Sequence, residues 1–283
     1  MRLQLTFLLL FFSSTIAFSQ KKGNKGLIDA KYECTYSVKY INDTIKMTHG
    51  TDDWFVLQIG DDLSYGYSYL KYQTDSLFDS GGVGTWVENV QKNIKNGTMS
   101  TLYSSDLMYA KVFKEYKEKK LEVIDHISIN YFIYGEDLTP QAWTLLDDTM
   151  TIAGYACQKA VCGYKGRSYE AWFTPEIPIN EGPWKFYGLP GLIIKLYDTK
   201  RQYEFELVGF KNTDKKIDIR PLTTKRITGF FKFSLTQIDR IKFLQAKFGE
   251  KGELITSADM AKVGLSNDEP VKQYYDYIEL DYK

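Results

Sequence analysis

Apolar and polar positions alternate with a period of two through much of this chain. Between Asp29 and Tyr40, residues Tyr32, Cys34, Tyr36 and Val38 fall on one face. Lys31, Glu33, Thr35, Ser37 and Lys39 fall on the other, which is the pattern of a half-buried strand. Ile41-Asn42-Asp43-Thr44 reads as a turn, and Trp54 to Ile59 as the next strand. Ser64 to Ser80 fits either a strand or a helix. Gly81 to Gly84 is a break, and Thr85 to Asn96 follows as a helix stopped by Gly97. Asp106 to Tyr116 and Leu121 to Ile127 flank the charged turn Lys117 to Lys120, with Ser128 to Tyr134 continuing the β pattern. Tyr155 to Tyr164 and Ser168 to Phe173 bracket Lys165-Gly166-Arg167 as a hairpin. Gln202 to Phe210 is a further strand. Ser234 to Gln237 has capping-box spacing, with Ile238, Ile241, Leu244 and Phe248 on one helical face before Gly249. Tyr274 to Tyr282 reads as a final strand. The pattern predicts a mainly β (α+β) fold, a single curved antiparallel sheet or half-barrel with a few packed helices.

One segment departs from plain alternation. Trp172-Phe173-Thr174-Pro175-Glu176-Ile177-Pro178 leads through Gly182-Pro183-Trp184-Lys185-Phe186-Tyr187 into Gly188-Leu189-Pro190-Gly191-Leu192-Ile193. Pro190 and Gly191 suit the two central positions of a type II turn. Leu192, Ile194 and Leu196 then alternate with Ile193, Lys195 and Tyr197 as a strand. Nothing in the hexapeptide is nucleophilic, acidic or metal-binding. The stretch resembles the signature of the GLPGLI family of secreted proteins from Bacteroidetes-type bacteria. Ile152 to Ala160, Gly166-Arg167 and Ala171-Trp172-Phe173 lie upstream in the order such proteins show. Tyr277-Ile278-Glu279-Leu280 is similar to their Asn-Pro-Ile-Glu-Leu ending, with Asp276-Tyr277 in place of Asn-Pro. The match is good over roughly residues 150 to 200 and general elsewhere. That family has no established biochemical activity, so the resemblance implies an exported protein and assigns no catalytic residue.

The N-terminus reads as an export signal over residues 1–19. Arg2 precedes an apolar run from Leu3 to Phe12, and Ala17-Phe18-Ser19 fits an Ala-x-Ala-like cleavage site. Residues 20–283 are then expected to form a single β-rich domain, periplasmic or extracellular. No later segment is long and apolar enough for a spanning helix. Charge is balanced at 36 basic and 36 acidic residues, which argues against nucleic acid as a partner. The 22 Tyr, 17 Phe and 5 Trp suit half-exposed sheet faces or an aromatic groove. Three cysteines enter an oxidising compartment, so one disulfide is expected to be available to them. Cys157 and Cys162 on one strand would lie roughly 17 Å apart, beyond the limit of about 7 Å for a disulfide. Cys34 paired with either of them, or three free thiols, both remain open.

Catalytic motifs are missing. There is no G-x-S-x-G elbow, H-E-x-x-H, Walker loop or dinucleotide fingerprint. Paired C-x-x-C knuckles are absent as well, so no zinc site and no cofactor are expected. His126 and His49 read as ordinary edge and turn histidines. Asp52-Asp53, Asp61-Asp62 and Asp147-Asp148 read as turn carboxylates bonding nearby amides.

The candidate binding surface is therefore aromatic: Trp172, Trp184, Phe186 and Tyr187, stiffened by Pro175, Pro178, Pro183 and Pro190. The first functional expectation is an exported, non-catalytic binding or accessory protein of the cell envelope. Its partner would be an envelope protein or a hydrophobic ligand, in one variant an acyl chain on a concave aromatic face. The second is a hydrolase whose site joins His126 or His49 to a distant serine or cysteine. The third is strand addition along the Tyr-rich first strand.

Overall fold

The computed structural model describes residues 26–45, 47–49, 52–95, 109–127, 130–227, 233–248 and 277–282. The expected export signal, Asp106, Gly97 and residues 274–276 lie outside them. The strands in chain order begin with β1 (Leu27–Asp29), β2 (Tyr32–Asp43), β3 (Thr48–His49), β4 (Asp53–Ile59) and β5 (Leu63–Ser68). Helices α1 (Tyr69–Asp79) and α2 (Val83–Lys95) follow, then β6 (Lys111–Glu115), β7 (Lys120–Ile127) and β8 (Asn130–Asp137). Next come β9 (Thr144–Ile152), β10 (Tyr155–Tyr164), β11 (Arg167–Thr174), β12 (Leu192–Asp198) and β13 (Tyr203–Asn212). The described chain closes with β14 (Lys216–Asp218), α3 (Arg220–Thr224), β15 (Arg226–Ile227), β16 (Phe233–Gln237) and α4 (Arg240–Phe248).

The protein is mostly β. One large sheet runs in the order β15-β16-β8-β7-β6-β5-β4-β2-β13-β12-β11-β10-β9, with β3 hanging from β2. Its pairings are antiparallel except for β16 against β8, which is parallel. Alternation explains the inward faces. Cys34, Tyr36 and Val38 of β2, Phe55, Leu57 and Ile59 of β4, and Tyr203, Phe205 and Leu207 of β13 all enter one core. The β10–β11 hairpin turns on Lys165 and Gly166, both at positive φ, so the two strands keep a tight antiparallel register.

The sheet curls. Strands β8 and β10 stand nine positions apart in the order, a separation of roughly 43 Å in a flat sheet at about 4.8 Å per strand. Yet Lys165, in the turn that ends β10, forms an ion pair with Glu136 on β8. The end strands β9 and β15 do not pair, so the result is an open half-barrel. On the convex face the ribbon β1–β14 and helix α3 cover a smaller core of Leu63, Phe113, Ile124, Ile133, Ile217 and Leu222.

Several expectations change. Ser64 to Ser80 is both things in turn, β5 and then α1. Ser234 to Gln237 caps no helix: it is β16, whose Leu235, Thr236 and Gln237 lie against Tyr131, Phe132 and Ile133. Helix α4 starts three residues later, at Arg240, and the Asp239 carboxylate caps it by accepting from the Lys242 amide at 3.1 Å. Residues 277–282 bend at Ile278, turn at Asp281 and Tyr282, and pair with no strand, so the expected final strand is absent there. Asp147 and Asp148 sit inside β9 and in no turn. All three cysteines are free and buried, which removes the disulfide. The first long strand is internal, between β13 and β4, which removes it as an edge for strand addition.

Candidate functional site

The segment between β11 and β12 carries most of the residues singled out in the sequence, and it fills the concave side of the half-barrel. Its prolines deny it a strand ladder. It folds on itself as a compact loop, with the Leu192 amide donating to the Ile177 carbonyl at 3.0 Å and the Gly188 amide to Asn180 at 3.0 Å. Trp184 takes a left-handed φ of 56° to make the innermost bend. At Pro190 the chain makes a γ-type turn, not the expected type II turn: the Gly191 amide donates to the Leu189 carbonyl at 2.8 Å. A Cβ on Gly191 would stand 2.1 Å from the Thr174 carbonyl oxygen, so only glycine fits there.

Of the expected binding surface, Trp184 and Phe186 are fully buried and Trp172 nearly so. Only Tyr187 keeps part of its ring in solvent. Trp184 packs edge-on to Phe55 of β4 and to Tyr277, and Phe186 meets Tyr164 and Tyr169 of the β10–β11 hairpin. In the signature, Leu189, Leu192 and Ile193 are core residues, Gly188 is half-buried and Pro190 is exposed. Trp172, Trp184 and Phe186 seal the interior and line no groove. An acyl-chain cavity lined by them is not present among the described residues.

Two buried lysines, neither anticipated from the sequence, fasten the loop. Lys114 of β6 donates to Glu181 at 2.5 Å and to the carbonyls of Gly182 and Phe186 at 3.0 and 2.9 Å. Ser64 and Tyr116 also donate to the Glu181 carboxylate, at 3.2 and 2.6 Å. Burial pulls the Lys114 ammonium below its ordinary value, and Glu181 opposes that pull. Lys185, completely buried, pairs at 2.5 Å with both Glu136 of β8 and Glu279. Arg240 of α4 joins Glu279 at 2.6 Å, Glu136 at 3.3 Å and Asp281. Burial alone would raise the Glu136 carboxyl. Lys185, then hydrogen bonds from Lys165 and Lys185, and finally Arg240 outweigh it and hold the group at about 2.

The stretch Tyr277 to Leu280 meets the β10–β11 hairpin and the loop here. Arg167 donates to the Tyr277 carbonyl at 3.1 and 2.8 Å, Tyr169 to the Ile278 carbonyl at 2.8 Å, and the Leu280 amide to Lys165 at 2.7 Å. The Trp184 indole donates to Glu279 at 3.3 Å. Beside this knot lies a cavity of about 270 Å³, lined by Glu136, Leu138, Gln141, Tyr164, Lys165, Lys185 and Tyr187. Burial, then Glu181, pushes the Tyr187 phenol up to about 12.

The other candidates stay apart. His126 packs between the rings of Tyr109 and Tyr131, with Asp125 turned away into a buried pair with Lys247 at 2.8 Å. His49 lies on the short β3. Asp53 bonds Ser68 and the Trp54 and Leu70 amides, and Asp61 and Asp62 pair with Lys31 and Lys117. No cluster of metal-ligating side chains occurs among the described residues. No helix among them is long and apolar enough to cross a membrane. Sequence reasoning missed Lys114, Glu136, Glu181, Lys185 and Arg240 because each looks ordinary in its own window. The one local signal is Lys185, a lone charge between Trp184 and Phe186.

Residues 163–195 match a family described as a protein of unknown function (Porph_ging). That stretch runs from the end of β10 through the loop into β12. No curated protein matches the chain. Two solved structures of PNGF-II, in the C2 and P21 space groups, are similar to it with TM-scores of 0.47 and 0.45. Each is 16% identical over 76% of this chain and 32% of that one, so the chain spans about a third of PNGF-II's length. At that level of likeness neither fold nor activity transfers.

Proposed function

We propose that the chain is a GLPGLI-type exported protein of the cell envelope that acts without catalysis, as a binding or accessory module for another envelope protein. One observation carries this reading: the concave side is occupied by the chain's own residues, and the charges that fasten them are paired within the chain. Lys114, Lys185, Arg240, Glu181 and Glu279 each have an internal partner. A hydrolase needs a nucleophile and a base facing an open cleft, and a carrier needs a dry cavity for its cargo. The loop takes the place of both, which leaves the outer surface and the sheet's ends for recognition.

The test is gentle purification from the host envelope, followed by native mass spectrometry and chemical cross-linking. The expected result is a stoichiometric protein partner. A retained lipid mass, turnover of ester or glycoside substrates, or a bare polypeptide with no cross-linked partner would overturn the reading.

A further inference from the structure

We infer that β9 is a docking edge on which an extended, basic segment of a partner protein adds as an extra strand. The inference rests on the reading of this chain as a partner-binding protein. Strand β9 terminates the sheet, and among the described residues no strand pairs with its outer side. It is nine residues long, whereas β15 at the opposite end has only two. A free edge presents alternating amides and carbonyls that a second chain can complete. Here that edge also carries apolar contact area, since Leu145 and Met150 are 48% and 49% exposed.

The charge on β9 says what fits. Asp147 and Asp148 are its only charged residues, and both are exposed. They sit in a bulge: Thr149 faces Gln158 and Leu145 faces Ala160, so three residues of β9 lie opposite Lys159 alone. Gln158 holds the bulge by donating to the Leu146 carbonyl at 2.8 Å. Lys159 is paired with Glu170 at 2.8 Å and also feels the nearby charge of Asp148, one cation for the acidic side chains around it. A second copy pairing antiparallel along this edge would bring two acidic pairs face to face near the strand centre, which is unfavourable. The acidic bulge therefore selects against self-association. Beyond it, Thr149 to Ile152 keep regular register with Tyr155 to Gln158, leaving a straight stretch for the incoming strand. Lys159 is outnumbered by Glu170, Asp147 and Asp148, so a partner strand with Lys or Arg beside the bulge adds a complementary charge.

The probe is a blocked, dye-labelled peptide alternating lysine with valine and threonine, set against its glutamate counterpart. Both are titrated into the full chain, with amide hydrogen exchange followed at β9. The basic peptide is expected to bind and to slow exchange across residues 149–152, while the acidic one does not bind. Charge reversal by Asp147→Lys with Asp148→Lys, both exposed and outside the core, is expected to weaken binding by about tenfold. Failure of the basic peptide to bind, equal binding of the two peptides, protection elsewhere on the surface, or unchanged affinity of the reversed variant would each overturn the inference. So would concentration-dependent self-association lost in that variant. If host-envelope cross-linking captures a partner remote from β9, the docking edge falls and the binding reading stands. If it captures none, the binding reading falls as well.

Discussion

Lys185 reaches two carboxylates from the centre of an apolar loop, so its replacement by methionine keeps the bulk and removes the charge. Glu136 would keep Lys165, while Glu279 would be left with the Arg240 guanidinium, which it shares with Glu136 in a largely buried site. Breaking one partner out of such a site costs about 3–5 kcal/mol, and urea denaturation of Lys185→Met is expected to show a loss of that order. The pH dependence follows from Glu136. Its carboxyl is held at about 2, below the ordinary 4.5, so the stability it contributes is complete above 4.5 and is lost as pH falls through about 2. In Lys185→Met the Glu136 value moves back toward 4.5, so the acid-linked loss is smaller and is complete at higher pH, which urea denaturation repeated along an acid titration would record. At Gly191, alanine meets a backbone oxygen at 2.1 Å. We expect Gly191→Ala to cost more than about 1 kcal/mol, while Gly163→Ala, with open space around its Cβ, stays within about 0.5 kcal/mol.

Among the elements, the short stretch Tyr277 to Tyr282 does the work of a strand without being one. Tyr277, Ile278, Glu279 and Tyr282 are buried, and the Tyr277 ring stacks on Phe248 of α4 at 4.2 Å. Ending the chain at residue 276 would leave Lys185 and Arg240 short of Glu279 and bare the face of Phe248. The expected outcome is a lowered melting temperature and rapid cleavage in α4 under limited proteolysis. Elements with local causes were legible in the sequence: β2 and β13 from alternation, the β10–β11 hairpin from Lys165-Gly166. Those decided at a distance were not. Phe233 to Gln237 is a strand because β8 offers it a parallel edge, a partner a hundred residues upstream that no local pattern announces. The β9 strand was obscured by its own acidic bulge, since an Asp pair in a short window looks like a turn. The site was half legible. Gly188 to Ile193 and Tyr277 to Leu280 were marked by their motifs, but the charges joining them come from β6, β8 and α4, and only the curl of the sheet brings these together.

For the whole molecule, the three cysteines report on global opening. Burial raises the thiols of Cys34 and Cys157 and pushes that of Cys162 up to about 12, and thiolate is the reactive form. A thiol reagent at mildly alkaline pH is expected to find none of them in the native protein and all three in denaturant. Early labelling of one or two would reveal a partial opening. The arrangement of the core also governs when folding can finish. During synthesis β2 to β8 emerge first, and they can form only an open sheet with a greasy inner face. The loop that covers this face comes later, strand β13 that completes β2 later still, and Glu279 after both. Pairings so distant along the chain fold slowly, in about milliseconds to seconds. A polypeptide whose interior is finished only by Tyr277 to Tyr282 cannot close its core until that stretch has been made.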